Sequence, residues 1–157
     1  MKSRLFASVA LGAAVMLGAT GCSMISTQAT TIQYAPSDGV IVEGSGPLKV
    51  SNVLIVANED GSMGNLIAAI VNDTAESHTL HMEIGEGSGV IEASVRVPAN
   101  TIISLGTEET DPLLLEDLDV MPGSDVPVYF QSGDSEGTIV SVAVLDGKQE
   151  YLRHLVP

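Results

Sequence analysis

The chain has 157 residues, with 20 acidic side chains against six lysines and arginines, a net charge of −14, one cysteine and no tryptophan. A surface of that sign repels nucleic-acid phosphates and anionic headgroups, so no nucleic-acid partner is expected. The lone cysteine excludes an internal disulfide, and two phenylalanines and three tyrosines are too few for carbohydrate or quaternary-amine recognition by stacked rings.

Residues 1–21 have the order of a lipoprotein signal peptide. Lys2 and Arg4 precede an uncharged apolar run, Leu5 to Leu17, and the small residues Gly18, Ala19, Thr20 and Gly21 follow it. That run has 13 residues, short of the ~20 a helix needs to span a bilayer. Gly21-Cys22 resembles the end of a bacterial lipobox, although Ala19 stands where leucine is commoner, so Cys22 is the expected lipidation site. Several acyl chains on one cysteine hold firmly, because each buried methylene contributes about 0.8 kcal/mol. The expected location is the extracytoplasmic face of the cell membrane, with the lipid as the membrane contact. After cleavage four cations face 20 acids, a net charge of −16.

Residues 22–38 read as the lipidated cysteine and a flexible tether, uncharged and rich in Ser, Thr and Gln as far as Ala35, with an r.m.s. reach of ~20 Å. Pro36-Ser37-Asp38-Gly39 is a turn signal. Residues 39–157 then read as one all-β domain, an antiparallel β-sandwich of the immunoglobulin or cupredoxin kind, because short β-branched runs recur between turn residues. The expected strands are Val40 to Glu43, Leu48 to Ala57, Asn65 to Asn72, His78 to Ile84, Ala93 to Val97, Thr101 to Leu105, Asp119 to Met121, Val126 to Gln131 and Thr138 to Leu145. Asn65 to Asn72 is apolar on both alternating sets, the pattern of a strand covered on both faces. Asp111-Pro112 places an N-cap and an N1 proline ahead of one expected helical turn, Leu113 to Asp117. Ile55, Ile70, Val140 and Val142 are the expected core.

Chemistry-bearing residues are sparse. In strand geometry His78, Leu80, Met82 and Ile84 share one face while Thr79, His81 and Glu83 share the other, so the adjacent His81 and Met82 cannot grip one ion. His78 and Met82 share a face but stand ~13 Å apart. Copper suits imidazole and thioether ligands, and His78, His81, Met63 and Met121 are the candidates if distant loops converge. Asn58-Glu59-Asp60-Gly61-Ser62 lacks the oxygen alternation and closing glutamate of a calcium loop. Glu108-Glu109-Thr110-Asp111, with Glu116, Asp117 and Asp119, is an acidic patch. No nucleophile elbow, zinc-protease helix or phosphate loop occurs, so no enzyme is expected and no cofactor is required.

Four stretches carry a family likeness: Tyr34-Ala35-Pro36-Ser37-Asp38-Gly39-Val40, the run Val53 to Asn72, Pro122-Gly123 ahead of Val126-Pro127-Val128, and the segment Glu150 to Pro157. Together they resemble small actinobacterial envelope lipoproteins of the LpqE type, which are in turn similar to the periplasmic copper chaperones called PCu(A)C. The resemblance implies a β-sandwich, and for the chaperones copper delivery to a terminal oxidase, hence an envelope or respiratory-complex protein as partner. The chaperones' His-x-Met does not occur, because Met82 directly follows His81 and Leu80 stands two after His78, so no ligand carries over. The expected function is a lipid-anchored, non-enzymatic interaction or accessory module of the envelope. The alternative is a copper-handling metallochaperone, and calcium-stabilised adhesion is a third reading resting on acidity alone.

Overall fold

The computed structural model describes residues 4, 6–13, 15 and 37–157. Residues 1–34 and 35–157 form two separate units. In the first, the described residues are helical and exposed, and no described helix is long and apolar enough to cross a membrane. Cys22 and the tether up to residue 36 lie outside the described residues.

The second unit is nearly all β. Its strands are β1 (Val40–Val42), β2 (Lys49–Ala57), β3 (Met63–Asn72), β4 (His78–Ile84), β5 (Ile91–Val97), β6 (Thr101–Leu105), β7 (Leu113–Glu116), β8 (Asp125–Ser132) and β9 (Thr138–Leu145). Two layers result. In the first, β3 pairs antiparallel with β2 on one side and with β6 and then β7 on the other, while β1 pairs with β2. The second layer runs β5-β4-β8-β9, also antiparallel. One short parallel contact, Ile55 beside Val144 and Val56 beside Leu145, joins the layers into a nearly closed sandwich. The expected antiparallel sandwich therefore holds, with this one parallel joint.

Alternation sends one side chain set of each strand into a common core that includes Val53, Ile55, Ile70, Leu80, Met82, Phe130 and Val142. Of the four residues expected there, Ile55, Ile70 and Val142 are fully buried, and Val140 packs half-buried against the cluster. A satellite core lies on the opposite face of the first layer. Leu54, Val56 and Ile67 project outward from β2 and β3 and are covered by Leu152 and Leu155 of the C-terminal segment, which ends in a 3-10 turn at Arg153–Leu155. This cover is why Ile67, on the outward set of the Asn65 to Asn72 run, is apolar and buried. Asn65 fastens it, its Nδ2 donating to the carbonyl of Leu155 at 2.9 Å.

Two local expectations are corrected. Leu113 to Asp117 is not a helical turn; Leu113–Glu116 is strand β7, paired from Leu113↔Leu66 to Glu116↔Met63. A single capping signal is worth about 1 kcal/mol, and here it loses to strand pairing plus complete burial of Leu115. Nor is Asp119 to Met121 a strand. Asp117 and Asp119 take left-handed backbone (φ 58° and 55°), which breaks extension and lets Leu118 turn inward as a buried residue.

Candidate functional site

Strand β4 shows what becomes of the histidine and methionine candidates. Its burial alternates, with Leu80, Met82 and Ile84 inside and His81 and Glu83 exposed. Met82 is 1% exposed, packed in the core, whereas His81 stands on the outer face of the second layer between Ser94 and Gln131. His78 is half-buried at the strand's start, opposite Val97. It adjoins a turn organised by the buried Asn72. The Nδ2 of Asn72 donates to the carbonyls of Glu76, Val97 and Pro98 at 2.8, 3.1 and 2.9 Å, and its Oδ1 accepts from the Thr74 amide and hydroxyl.

The two methionines lie at the other end. Met63 opens β3, and Met121 follows the loop after β7. Those loops are stitched together, the Leu118 amide donating to the Ser62 carbonyl at 2.9 Å and the Val120 amide to the Gly61 carbonyl at 3.1 Å. Met63 is separated from the His78 end by the length of β3, ~30 Å at strand rise. The structure thus brings the neighbourhoods of Met63 and Met121 together and leaves both apart from His78, with His81 on another face. Among the described residues no three His, Cys, Asp or Glu side chains are grouped to hold a metal.

The calcium-like turn is self-satisfied. Asp60 Oδ1 accepts from the Ser62 amide at 3.1 Å and the Ser62 hydroxyl at 2.7 Å, bonds that hold the Asp60 carboxyl below its ordinary pKa. Asn58 Oδ1 accepts from the Met63 amide at 3.1 Å. Asp60 Oδ1 and Asn58 Oδ1 are thus committed to the turn itself. Glu108, Glu109, Asp111, Glu116, Asp117 and Asp119 are all exposed.

One feature of binding size was not expected from sequence. Beside the satellite core, a cavity of about 620 Å³ opens between the outer face of β2, β3 and β6 and the C-terminal segment. Ala69 and Ser104 lie in its floor, Leu54, Ile67 and Leu155 form its apolar wall, and Asp38 and Tyr151 stand at its rim. The Tyr151 hydroxyl donates to Asp38 Oδ2, tying the C-terminal cover to the first turn of the domain. That bond, with some desolvation, raises the Tyr151 pKa. Asn52 also lines the cavity. It sits in a bulge of β2 with left-handed backbone (φ 52°), and its buried Oδ1 has no hydrogen-bond partner among the described residues. A second cleft of about 720 Å³ includes Met121, Glu59, Lys148 and Arg153, but Asp146 already neutralises Lys148 at 2.8 Å. The sequence signal for the cover was the apolar spacing Leu152, Leu155, Val156. Asn52 gave none, since a bulge is set by pairing partners.

No protein-family model matches this sequence, and no curated protein matches it. Solved structures do match, and their class is that of the PCuAC domain. The apo PmoF2 PCuAC domain superposes with a TM-score of 0.51 at 13% identity, covering 71% of this chain and 97% of that one. The apo PCuAC domain from PmoF1 superposes with a TM-score of 0.50 at 20% identity, covering 68% and 97%. At these identities the likeness is one of fold: the domain is a β-sandwich of PCuAC type.

Proposed function

We propose that this protein is a lipid-anchored accessory module of the cell envelope, of the LpqE-like kind, which uses a PCuAC-type sandwich to engage another protein rather than to catalyse a reaction. One observation carries the reading. On that fold His78 stands a strand's length from Met63 and Met121 and His81 lies on another face, while the outer face of the first layer carries a groove with a pinned cover. The order of charges, apolar run and small residues before Cys22 supports the anchor.

The anchor is tested by Cys22→Ala. The variant is expected to leave the detergent phase and to keep its far-ultraviolet spectrum; retention in the detergent phase overturns the lipid assignment.

Copper handling is the second reading, favoured by the shared fold and by the transfer role that the sequence resemblance implies. Titration with Cu(I) separates the two. The expected result is that the protein binds Cu(I) no more tightly than its His81→Ala variant does. One-to-one submicromolar binding, lost on changing either histidine, His78 or His81, and also on changing Met63 or Met121, would replace the accessory reading with the chaperone one.

A further inference from the structure

We infer that the groove between the first layer and the C-terminal segment is a docking site for a cationic segment of another polypeptide, one that presents aliphatic side chains on one side and lysine or arginine on the other. The inference rests on the accessory-module reading and names the chemistry of its partner.

The outer face of the first layer is covered over only half its length. Where Leu152 and Leu155 lie across Leu54 and Ile67 it is sealed, but the next rows stand open. Register places Ser51, Ala69 and Ser104 in one row and Lys49, Val71 and Ile102 in the row beyond. The first of these rows is short in every side chain, so it forms a trough against the taller wall of the cover. Ile102 is 64% exposed at the trough's open end, although its strand neighbours are half-buried or buried. An open trough of small residues, leading into a 620 Å³ cavity walled by leucine and isoleucine, accepts aliphatic side chains of about valine or leucine size.

Charge selects the rest of the ligand. Asp38 is the cavity's one carboxylate and His154 its one basic side chain, while Lys49 in the outermost row is paired with Asp73. Immediately beside the cavity the loop after β6 carries Glu108 and Glu109, both exposed. That loop is fixed in place. The amides of Gly106 and Thr107 donate to the Thr110 carbonyl at 2.9 and 3.0 Å, and the Thr107 hydroxyl donates to the Ser104 carbonyl at 3.0 Å. Gly106 is held at φ 84°, where an added Cβ would lie 2.9 Å from Ile67 Cγ1. An apolar trough flanked by carboxylates carried on a fixed loop, on a domain of strongly negative charge, is complementary to a cationic amphipathic segment and repels an acidic one. Asn52 lines the same cavity, and its buried Oδ1 has no hydrogen-bond partner among the described residues, which leaves an acceptor unused there.

The test uses the lipidated chain from Cys22 onward in phosphatidylcholine nanodiscs. The probe is a peptide of ~10 residues alternating lysine and leucine, which in extended form places all leucines on one side. Peptides alternating glutamate with leucine and lysine with serine are the controls. Saturable one-to-one binding of the lysine–leucine peptide is expected, with weaker binding of both controls. Ile102→Lys, a change at an exposed position, should weaken it about tenfold. Asp38→Asn, which preserves an acceptor for Tyr151, should weaken it less and flatten its dependence on salt. Binding unchanged in both variants, equal binding of either control, or no binding above that of empty discs overturns the inference. A photo-reactive residue placed in cells at Ile102, and separately at Ile139 on the outer face of the other layer, distinguishes the two levels of the argument. Adducts at Ile139 alone overturn the groove and leave the accessory module standing, and adducts at neither position overturn both.

Discussion

The outer faces of the two layers obey different rules. On β4 and its neighbours the outward set is polar, with Thr79, His81 and Glu83 facing Arg96, Ser94 and Glu92 across the pairing with β5. Such a face is finished once its own strands are paired, because water satisfies it. On β2 and β3 the outward set includes Leu54, Val56 and Ile67, which water does not satisfy, and the sequence supplies a lid for them from the far end of the chain. The contrast teaches that a face can be chemically complete on one side of a sandwich and conditional on the other. Function is better sought on the conditional side.

Three measurements would break or sharpen that contrast. The largest effect belongs to the core that both layers share: Ile70→Ala is expected to destabilise the domain by about 3 to 4 kcal/mol through lost burial and a cavity, read from chemical denaturation. Protection against amide exchange should fall in both layers together. Leu155→Ala removes a wall of the satellite core instead and should cost less, about 2 kcal/mol, because the exposed edge of the cover can settle into the gap. Here exchange should quicken around Leu54, Val56 and Ile67 and stay unchanged in β4, β5 and β8. Uniform loss of protection would show that the two faces are one cooperative unit.

The smallest effect concerns the tie at the rim. Tyr151 has a folded-state pKa raised above its ordinary value of 10.0, first by its hydrogen bond to Asp38 and then by desolvation and the Asp38 charge. The proton is therefore held more tightly in the folded state. The contribution to stability is complete below the ordinary tyrosine pKa and is lost as pH rises through the raised folded value. Ultraviolet titration of phenolate should show this tyrosine ionising at higher pH than it does in Asp38→Asn. Identical curves would mean that the rim is not tied in solution.

Much of this architecture was legible in sequence where one strand's own pattern decided the outcome. The bounds of β4, β6 and β9 follow from turn residues on either side, and the sidedness of His81 and Met82 follows from alternation alone. The double-sided apolarity of Asn65 to Asn72 even announced a second cover without saying what supplies it. What stayed hidden depends on partners distant in the chain. Leu113 to Glu116 carries a helix-start signal, and only the presence of β3 makes it a strand. The bulge at Asn52 exists because the pairing of β2 with β3 shifts register between Ser51 and Leu54. The groove was the least legible, since it is made jointly by residues near 38, 52, 69, 104 and 151.

The parallel joint between β2 and β9 bears on how the protein is made. Ile55 and Val144 meet across most of the sequence, so the two layers cannot be locked edge to edge until the last strand has arrived. Contacts of such sequence separation slow folding, because loop closure must precede any gain from them. During synthesis the early strands wait with open edges, and an incomplete chain of this kind is vulnerable to misassociation. A chain delivered N-terminus first would therefore stay unlocked along this edge for most of its passage through any narrow conduit, and could close the edge only once β9 clears it.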